Sequence, residues 1–130
     1  MPAIPREAKA MVHVVTDENF EQEVADSDVP CVIGFTAGWC NLCPQMLEAL
    51  GSLSEKYAGE VKFCSVNTDE QRKLRIMFAV AALPYVVLVH GGTKTPLFDE
   101  LVGEDRLDER IRFVLDGGKC PNTTPLGKMR

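Results

Sequence analysis

Two cysteines separated by two residues, Cys40 and Cys43, are the side chains of this sequence best suited to chemistry. They follow a short apolar run, 32–35, and precede a helical pattern of apolar residues that begins near Met46. This order puts the second cysteine in the first turn of a helix and the first cysteine at the positive end of that helix. The thiolate, which is the nucleophilic form of cysteine, is favoured there over the thiol. The spacing therefore indicates dithiol–disulfide chemistry.

The same cysteine spacing also occurs in one half of a zinc site. No second pair of cysteines or histidines in the sequence completes four ligands. The two histidines, His13 and His90, each fall in a segment with a strand pattern. We therefore expect no metal and no other cofactor.

The remaining three cysteines offer no disulfide framework, because the total of five is odd and their spacing is irregular. Cys31 and Cys64 fall in apolar, strand-like runs, where we expect buried and inert thiols with a raised pKa. Cys120 lies in a polar segment beside Lys119. It is either an exposed thiol that can be modified or an incidental residue of the tail.

Length and charge narrow the classes of protein and partner. A chain of 130 residues with 45% hydrophobic residues predicts one domain with a single core. The net charge is −5 and the basic residues are scattered, so we expect no nucleic-acid partner. No segment approaches the roughly 18 apolar residues of a membrane span, and the amino terminus lacks the apolar core of a signal peptide. We expect a cytoplasmic monomer without a membrane partner.

The elements that must position the dithiol are predicted in the order β-α-β-α-β-α-β-β-α. The run 29–36 is apolar almost throughout, which is typical of a central strand buried on both faces. The predicted strands are 11–15, 29–36, 61–67, 85–90 and 94–102, and the predicted helices are 16–24, 43–57, 70–78 and 104–115. We expect a flexible arm at 1–10, a domain at 11–116 and a flexible tail at 117–130.

Five separate features give the sequence a resemblance to the thioredoxin family over roughly residues 12–116. They are Trp39-Cys40-x-x-Cys43, Asn67-x-Asp69, Leu83-Pro84, Gly91-Gly92 and Val102-Gly103, each at a matching place between predicted elements. The resemblance implies an α/β thioredoxin fold, in which a central mixed β-sheet of four to five strands is flanked by about four helices. It also implies a thiol-disulfide oxidoreductase that reduces or exchanges protein disulfides.

The resemblance assigns roles to individual residues. Cys40 looks like the attacking thiolate and Cys43 like the resolving thiol, and the two would form the redox-active disulfide. The residues that would bind substrate are Trp39, Leu83, Pro84, Val102 and Gly103, with Pro84 in the cis form. The implied partners are disulfide-containing proteins and, as electron donor, thioredoxin reductase or another thiol.

Several residues depart from the family pattern. Gly34 and Ser65 stand where thioredoxins usually carry a buried acid and a lysine. The acid is held to accept the proton of the resolving thiol, so its absence predicts slower resolution. Asn41-Leu42 replaces the common Gly-Pro, and the Asn41 amide is a donor that stabilises the Cys40 thiolate. This predicts a protein that is less reducing than an ordinary thioredoxin.

Two other functions remain open from the sequence. A binding module with slow or vestigial redox activity would use a groove around Trp39, Leu83 and Tyr85. A glutaredoxin-like user of glutathione is disfavoured, because no cluster of basic residues is evident for the glutathione carboxylates.

Overall fold

The structure is a computed structural model that describes residues 12–126. The strands are β1 (Val12–Val14), β2 (Cys31–Thr36), β3 (Lys62–Asn67), β4 (Tyr85–His90), β5 (Thr93–Phe98) and β6 (Thr124–Pro125). The α-helices are α1 (Cys43–Lys56), α2 (Arg72–Met77) and α3 (Glu104–Leu115), and a single π-helical segment covers Glu21–Ala25. The predicted arm at 1–10 and the last four residues lie outside the described range. No helix within 12–126 combines the length and the apolar character needed to cross a membrane.

The strands form one mixed sheet in the order β1-β3-β2-β4-β5-β6. The strands β1, β3 and β2 run parallel, whereas β4 pairs antiparallel with β2 and β5 antiparallel with β4. The prediction that β2 is the central strand is confirmed, and five of its six residues are buried. The predicted α/β fold with a mixed sheet is confirmed, and the sheet contains one short strand, β6, beyond the expected four to five.

Two hydrophobic cores explain why β2 is apolar at successive positions. Ile33 and Phe35 face a core that includes Phe20 beside the π-helical segment and Leu74 of α2. Val32 faces the opposite core, which is built from α1 and α3. Because helices cover both faces of the sheet, neither side of β2 meets water and no polar alternation is needed.

The amino terminus of α2 is capped by a residue distant in sequence. The Asp17 carboxylate accepts hydrogen bonds from the backbone N–H groups of Lys73 (3.3 Å) and Leu74 (3.0 Å). In return, the backbone N–H of Asp17 donates to the Gln71 side chain at 2.8 Å. The sequence predicts Thr16-Asp17 as the cap of the first helix; Thr16 does exchange hydrogen bonds with Asn19, but Asp17 serves α2 instead.

Removing this cap is expected to destabilise the domain. Asp17→Ala leaves two backbone N–H groups of α2 without their acceptor, at a cost of about 1–2 kcal/mol of unfolding free energy. Urea denaturation measures the loss. Glu18→Ala is the matched control, since Glu18 is exposed and next in sequence. Equal stability of the two variants would contradict the role of Asp17.

The carboxy-terminal segment returns to the sheet. Thr124 and Pro125 pair with the start of β5, and the Leu126 N–H donates to the Gly92 carbonyl at 2.8 Å. Cys120 and Leu126 are buried. The interpretation of Cys120 as an exposed thiol is therefore wrong, because its segment lies against the domain. The domain boundaries and the flexibility of the chain ends stay predictions.

Candidate active site

The two cysteines predicted to be chemically active are joined. Cys40 and Cys43 form a disulfide across the turn between β2 and α1, with their Cα atoms 5.5 Å apart. Helix α1 begins at Cys43, and Pro44 occupies its first turn, where a missing N–H is tolerated. Cys40 is 9% exposed and Cys43 only 1%. An incoming sulfur atom therefore reaches Cys40 before it reaches Cys43.

A single carboxylate holds the turn that leads to the disulfide. Asp69 accepts a hydrogen bond from the backbone N–H of Gly38 and another from the indole N–H of Trp39, both at 3.3 Å. The Asp69 backbone N–H in turn donates to the Asn67 side chain at 2.8 Å. Trp39 is 67% exposed, yet its indole is anchored. The Asn67-x-Asp69 motif was the sequence signal for this anchor, although the sequence alone did not reveal its partners.

A cis-proline lies at the same edge of the sheet as the disulfide. The Leu83-Pro84 peptide bond is cis, as the resemblance implied. In the antiparallel pairing of β2 with β4, Phe35 lies opposite Tyr85, which brings Pro84 to the end of β2 where the dithiol turn starts. The structure thus brings together the turn that carries Trp39 and both cysteines with the Leu83-Pro84 bond.

Val102 and Gly103 lie at the start of α3. Val102 packs on the core formed by α1 and α3, and Gly103 accepts a hydrogen bond from the Leu107 N–H. The neighbouring Glu104 carboxylate accepts from the Ser52 hydroxyl of α1 at 2.9 Å. These contacts fasten the segment to α1 rather than to the disulfide itself. The expected role of Val102 and Gly103 in binding substrate stays a prediction.

Apolar side chains fill the space beside Gly34, the position at which thioredoxins usually carry a buried acid. A Cβ atom added to Gly34 would lie 2.5 Å from the Met46 sulfur and 2.6 Å from a Leu50 methyl group. Ser65 lies directly opposite Gly34 on β3, where the family's lysine is expected. Both charged groups of the family pattern are therefore absent, and a thioether and a leucine occupy the space beside Gly34.

The surroundings of Cys43 are poorly suited to accepting a proton from its thiol. Within residues 12–126, the Cys43 sulfur contacts the Phe35 carbonyl oxygen at 3.8 Å. A carbonyl oxygen accepts a hydrogen bond from a thiol but does not stabilise a thiolate. Forming a thiolate in this buried apolar place is costly. The expectation of slow resolution by Cys43 stays a prediction.

A second pair of thiols lies at the opposite end of β2 and β3. Cys31 and Cys64 are both fully buried, as predicted. Interaction with the neighbouring Cys64 thiol lowers the pKa of Cys31 despite its burial. The same interaction, together with burial, raises the pKa of Cys64. The raised pKa expected for both thiols is therefore found for Cys64, and Cys31 departs from it.

A nearly buried disulfide at a helix start, one sulfur more accessible than the other, and a cis-proline beside it define a dithiol–disulfide oxidoreductase site. Comparison with known proteins agrees with this class. The family model described as Thioredoxin matches residues 11–114. The chain belongs to the thioredoxin family, whose activity is thiol-disulfide exchange.

Individual relatives support the assignment. Thioredoxin 1 of the cyanobacterium Nostoc is 32% identical over 97 residues, covering 75% of this chain and 91% of its own. The chloroplastic thioredoxin M4 of Arabidopsis thaliana is 29% identical over 103 residues, covering 78% of this chain and 53% of its own. The crystal structure of chloroplastic thioredoxin z superposes with a TM-score of 0.74, covering 90% of this chain and all of that one. At 22% identity, this last likeness concerns the fold.

Proposed function

We propose that the protein reduces or exchanges disulfides of other proteins, with Cys40 as the nucleophile and Cys43 as the resolving thiol. The Cys40 thiolate attacks one sulfur of a substrate disulfide, and the other sulfur leaves as a thiolate. Cys43 then loses its proton and attacks the Cys40 sulfur, which expels the second substrate thiol. Two electrons pass to the substrate, and the Cys40–Cys43 disulfide remains. The greater exposure of Cys40 is the observation that carries this order.

The substrate groove is proposed to run past five residues: Trp39, Leu83, Pro84, Val102 and Gly103. Support comes from the anchored but exposed Trp39 indole and from the cis Leu83-Pro84 bond beside the disulfide. An extended substrate segment would pair with the Leu83 backbone. Thioredoxin reductase or another thiol would return the electrons.

The protein is further proposed to be less reducing than an ordinary thioredoxin. The Asn41 amide is exposed next to Cys40, and a donor there stabilises the reduced form. Gly34 supplies no carboxyl group to accept the proton of Cys43, and the apolar side chains of Met46 and Leu50 fill the space beside it. The Asn41 donor would change the reduction potential, whereas the missing acid would slow the step in which Cys43 resolves the mixed disulfide.

Equilibration of the Cys40–Cys43 pair in a dithiothreitol redox buffer measures its reduction potential and so tests whether the protein is less reducing. We expect a potential less negative than the roughly −270 mV typical of thioredoxin. Asn41→Ala is expected to make the potential more negative, whereas Gln45→Ala, an exposed neighbour on α1, leaves it unchanged. A wild-type potential at or below about −270 mV would overturn the weaker reducing power but not the exchange activity.

A binding module with vestigial redox activity is the second candidate, and the filled space beside Gly34 favours it. In that case the groove around Trp39, Leu83 and Tyr85 would hold a partner without turnover. Tyr85 is only partly buried and packs on Phe35, with ring centroids 5.8 Å apart. Insulin reduction separates the two candidates, because a binding module captures partners but is inert in this assay.

The cytoplasmic location and the monomeric state remain proposals. The cyanobacterial and chloroplastic relatives are compatible with more than one compartment.

A further inference from the structure

The chain after α3 passes from one face of the sheet to the other. We define the C-terminal strap as residues 116–126, which follow the part of the chain that the family model matches. Leu115, just before the strap, packs on the core formed by α1 and α3, whereas Leu126 at its end is buried in the core on the opposite face. Between them, Thr124 and Pro125 pair with β5. The strap therefore reaches the face of the sheet on which α2 packs.

One lysine of β5 joins the strap to the end of α2. The Lys94 ammonium donates a hydrogen bond to the carbonyl of Met77, the last residue of α2, at 3.2 Å, and another to the Leu126 carbonyl at 3.4 Å. It also lies over the Phe78 ring, 5.6 Å from the centroid. The last carbonyls of a helix lack partners within the helix, and an ammonium group has three donors to offer. Lys94 is therefore a clamp between α2 and the strap.

The clamped end of α2 is the start of the segment that carries the cis-proline. Residues 78–84 connect α2 to β4 and end with Pro84. The backbone N–H groups of Phe78 and Val80 donate to carbonyls of α2 at 3.0 and 3.1 Å. Ala79 between them has a φ of 51°, a left-handed conformation that is strained for alanine. Such a backbone persists only where its surroundings hold it.

Aromatic rings connect the two ends of this segment. The Phe78 and Phe35 ring centroids lie 5.2 Å apart, and those of Phe35 and Tyr85 lie 5.8 Å apart. Tyr85 directly follows Pro84 in the chain. A displacement of Phe78 therefore reaches the residue after the cis-proline through one intervening ring.

Packing alone does not fix these rings on the side of the strap. A cavity of about 610 Å³ opens there, and its lining includes Phe78 and Tyr85 together with Lys94 and, from the strap, Asn122. Open space gives the rings room to move, because close packing is what holds side chains in place. The hydrogen bonds of Lys94 supply a constraint across this gap.

We propose that Lys94 and the C-terminal strap position residues 78–84, and with them the Leu83-Pro84 bond at which substrate disulfides bind. This inference rests on the proposed function, since it assigns positioning residues to the proposed substrate groove. Lys94 acts through the Met77 carbonyl and the Phe78 ring, and the burial of Leu126 holds the end of the strap. Loss of this support weakens substrate binding and leaves the sulfur chemistry of Cys40 unchanged, so KM rises at constant kcat.

Steady-state reduction of a synthetic peptide disulfide, with dithiothreitol as electron donor, tests the proposal. We expect Lys94→Met to raise KM about fivefold with little change in kcat. Leu126→Ala, which loosens the other side of the clamp, should raise KM similarly. Lys119→Met is the matched control, because it removes the same charge from an exposed residue of the strap. A wild-type KM in Lys94→Met or Leu126→Ala, or an equal rise in Lys119→Met, would overturn the proposal.

Hydrogen exchange distinguishes local positioning from a general loss of stability. Lys94→Met should speed the exchange of the Phe78 and Val80 N–H groups about tenfold, while the Ile111 N–H in α3 keeps its wild-type rate. Equal acceleration at Ile111 would assign the effect to overall stability and overturn the positioning role. If the wild type did not reduce insulin, the proposed function would fail, whereas the exchange rates would still test the clamp.

Discussion

Replacement of Cys40 by serine is expected to abolish the reduction of insulin disulfides, with a loss of at least about a thousandfold in rate. Cys40 is the more exposed residue of the pair and lies in the turn just before α1, which begins at Cys43. A serine hydroxyl has no accessible anion at neutral pH and cannot form the mixed disulfide. The turbidity of reduced insulin, with dithiothreitol as electron donor, measures the rate.

Cys43→Ser provides the informative comparison. This variant keeps the attacking thiol but lacks the group that expels the substrate, so mixed disulfides with Cys40 should accumulate. Nonreducing electrophoresis detects them, and dithiothreitol should release them. Cys120→Ser, which removes a buried thiol on another segment, should behave like the wild type. If Cys40→Ser still turned over insulin, a different thiol would be the nucleophile and the proposed function would fail.

Restoring the family's buried acid by Gly34→Asp is expected to lower the unfolding free energy by about 3 kcal/mol or more. The new Cβ atom would lie 2.5 Å from the Met46 sulfur and 2.6 Å from Leu50, so the core must shift. The carboxylate would also lie in an apolar core without a charged partner. Thermal or urea denaturation of the single variant measures the loss.

Two further variants separate the steric cost from the charge cost. Gly34→Ala tests the crowding alone, and Gly38→Ala is its control because no atom lies within 4 Å of a Cβ atom there. In Gly34→Asp combined with Met46→Ala, the removed thioether makes room for the carboxylate. We expect this double variant to regain part of the stability and to resolve mixed disulfides faster. If Gly34→Ala were no less stable than Gly38→Ala, Met46 and Leu50 would be free to move aside.

The sequence predicted those elements whose local signals agree with their surroundings. Helix α3 has the predicted bounds, because its apolar stripe and the preceding Gly103 act locally. The strands predicted on either side of Gly91-Gly92 pair as a hairpin. Both glycines have positive φ angles, 60° and 79°, as a tight turn between two strands requires. The helix predicted at 16–24 shortens to one π-helical segment, Glu21–Ala25, since its packing on the sheet overrides a weak local pattern.

In the candidate site too, the sequence predicted some features and not others. Cys40, Cys43 and the Leu83-Pro84 bond were visible in the sequence because each belongs to a short motif. The support of the site was not visible. Asp69 reaches back across about 30 positions to Trp39, and such a contact exists only once β2 and β3 are paired.

The sequence by itself determined that this is a dithiol protein of the thioredoxin family without the usual buried acid, since these properties depend on which residues are present. Only the tertiary structure decided what replaces the acid and what surrounds the dithiol. Gly34 alone would permit a cavity, a water molecule or a neighbouring side chain, and the packing of α1 on β2 places Met46 and Leu50 there. The reason is physical: residue identity is local, whereas the occupation of space in a core depends on elements that meet only after folding.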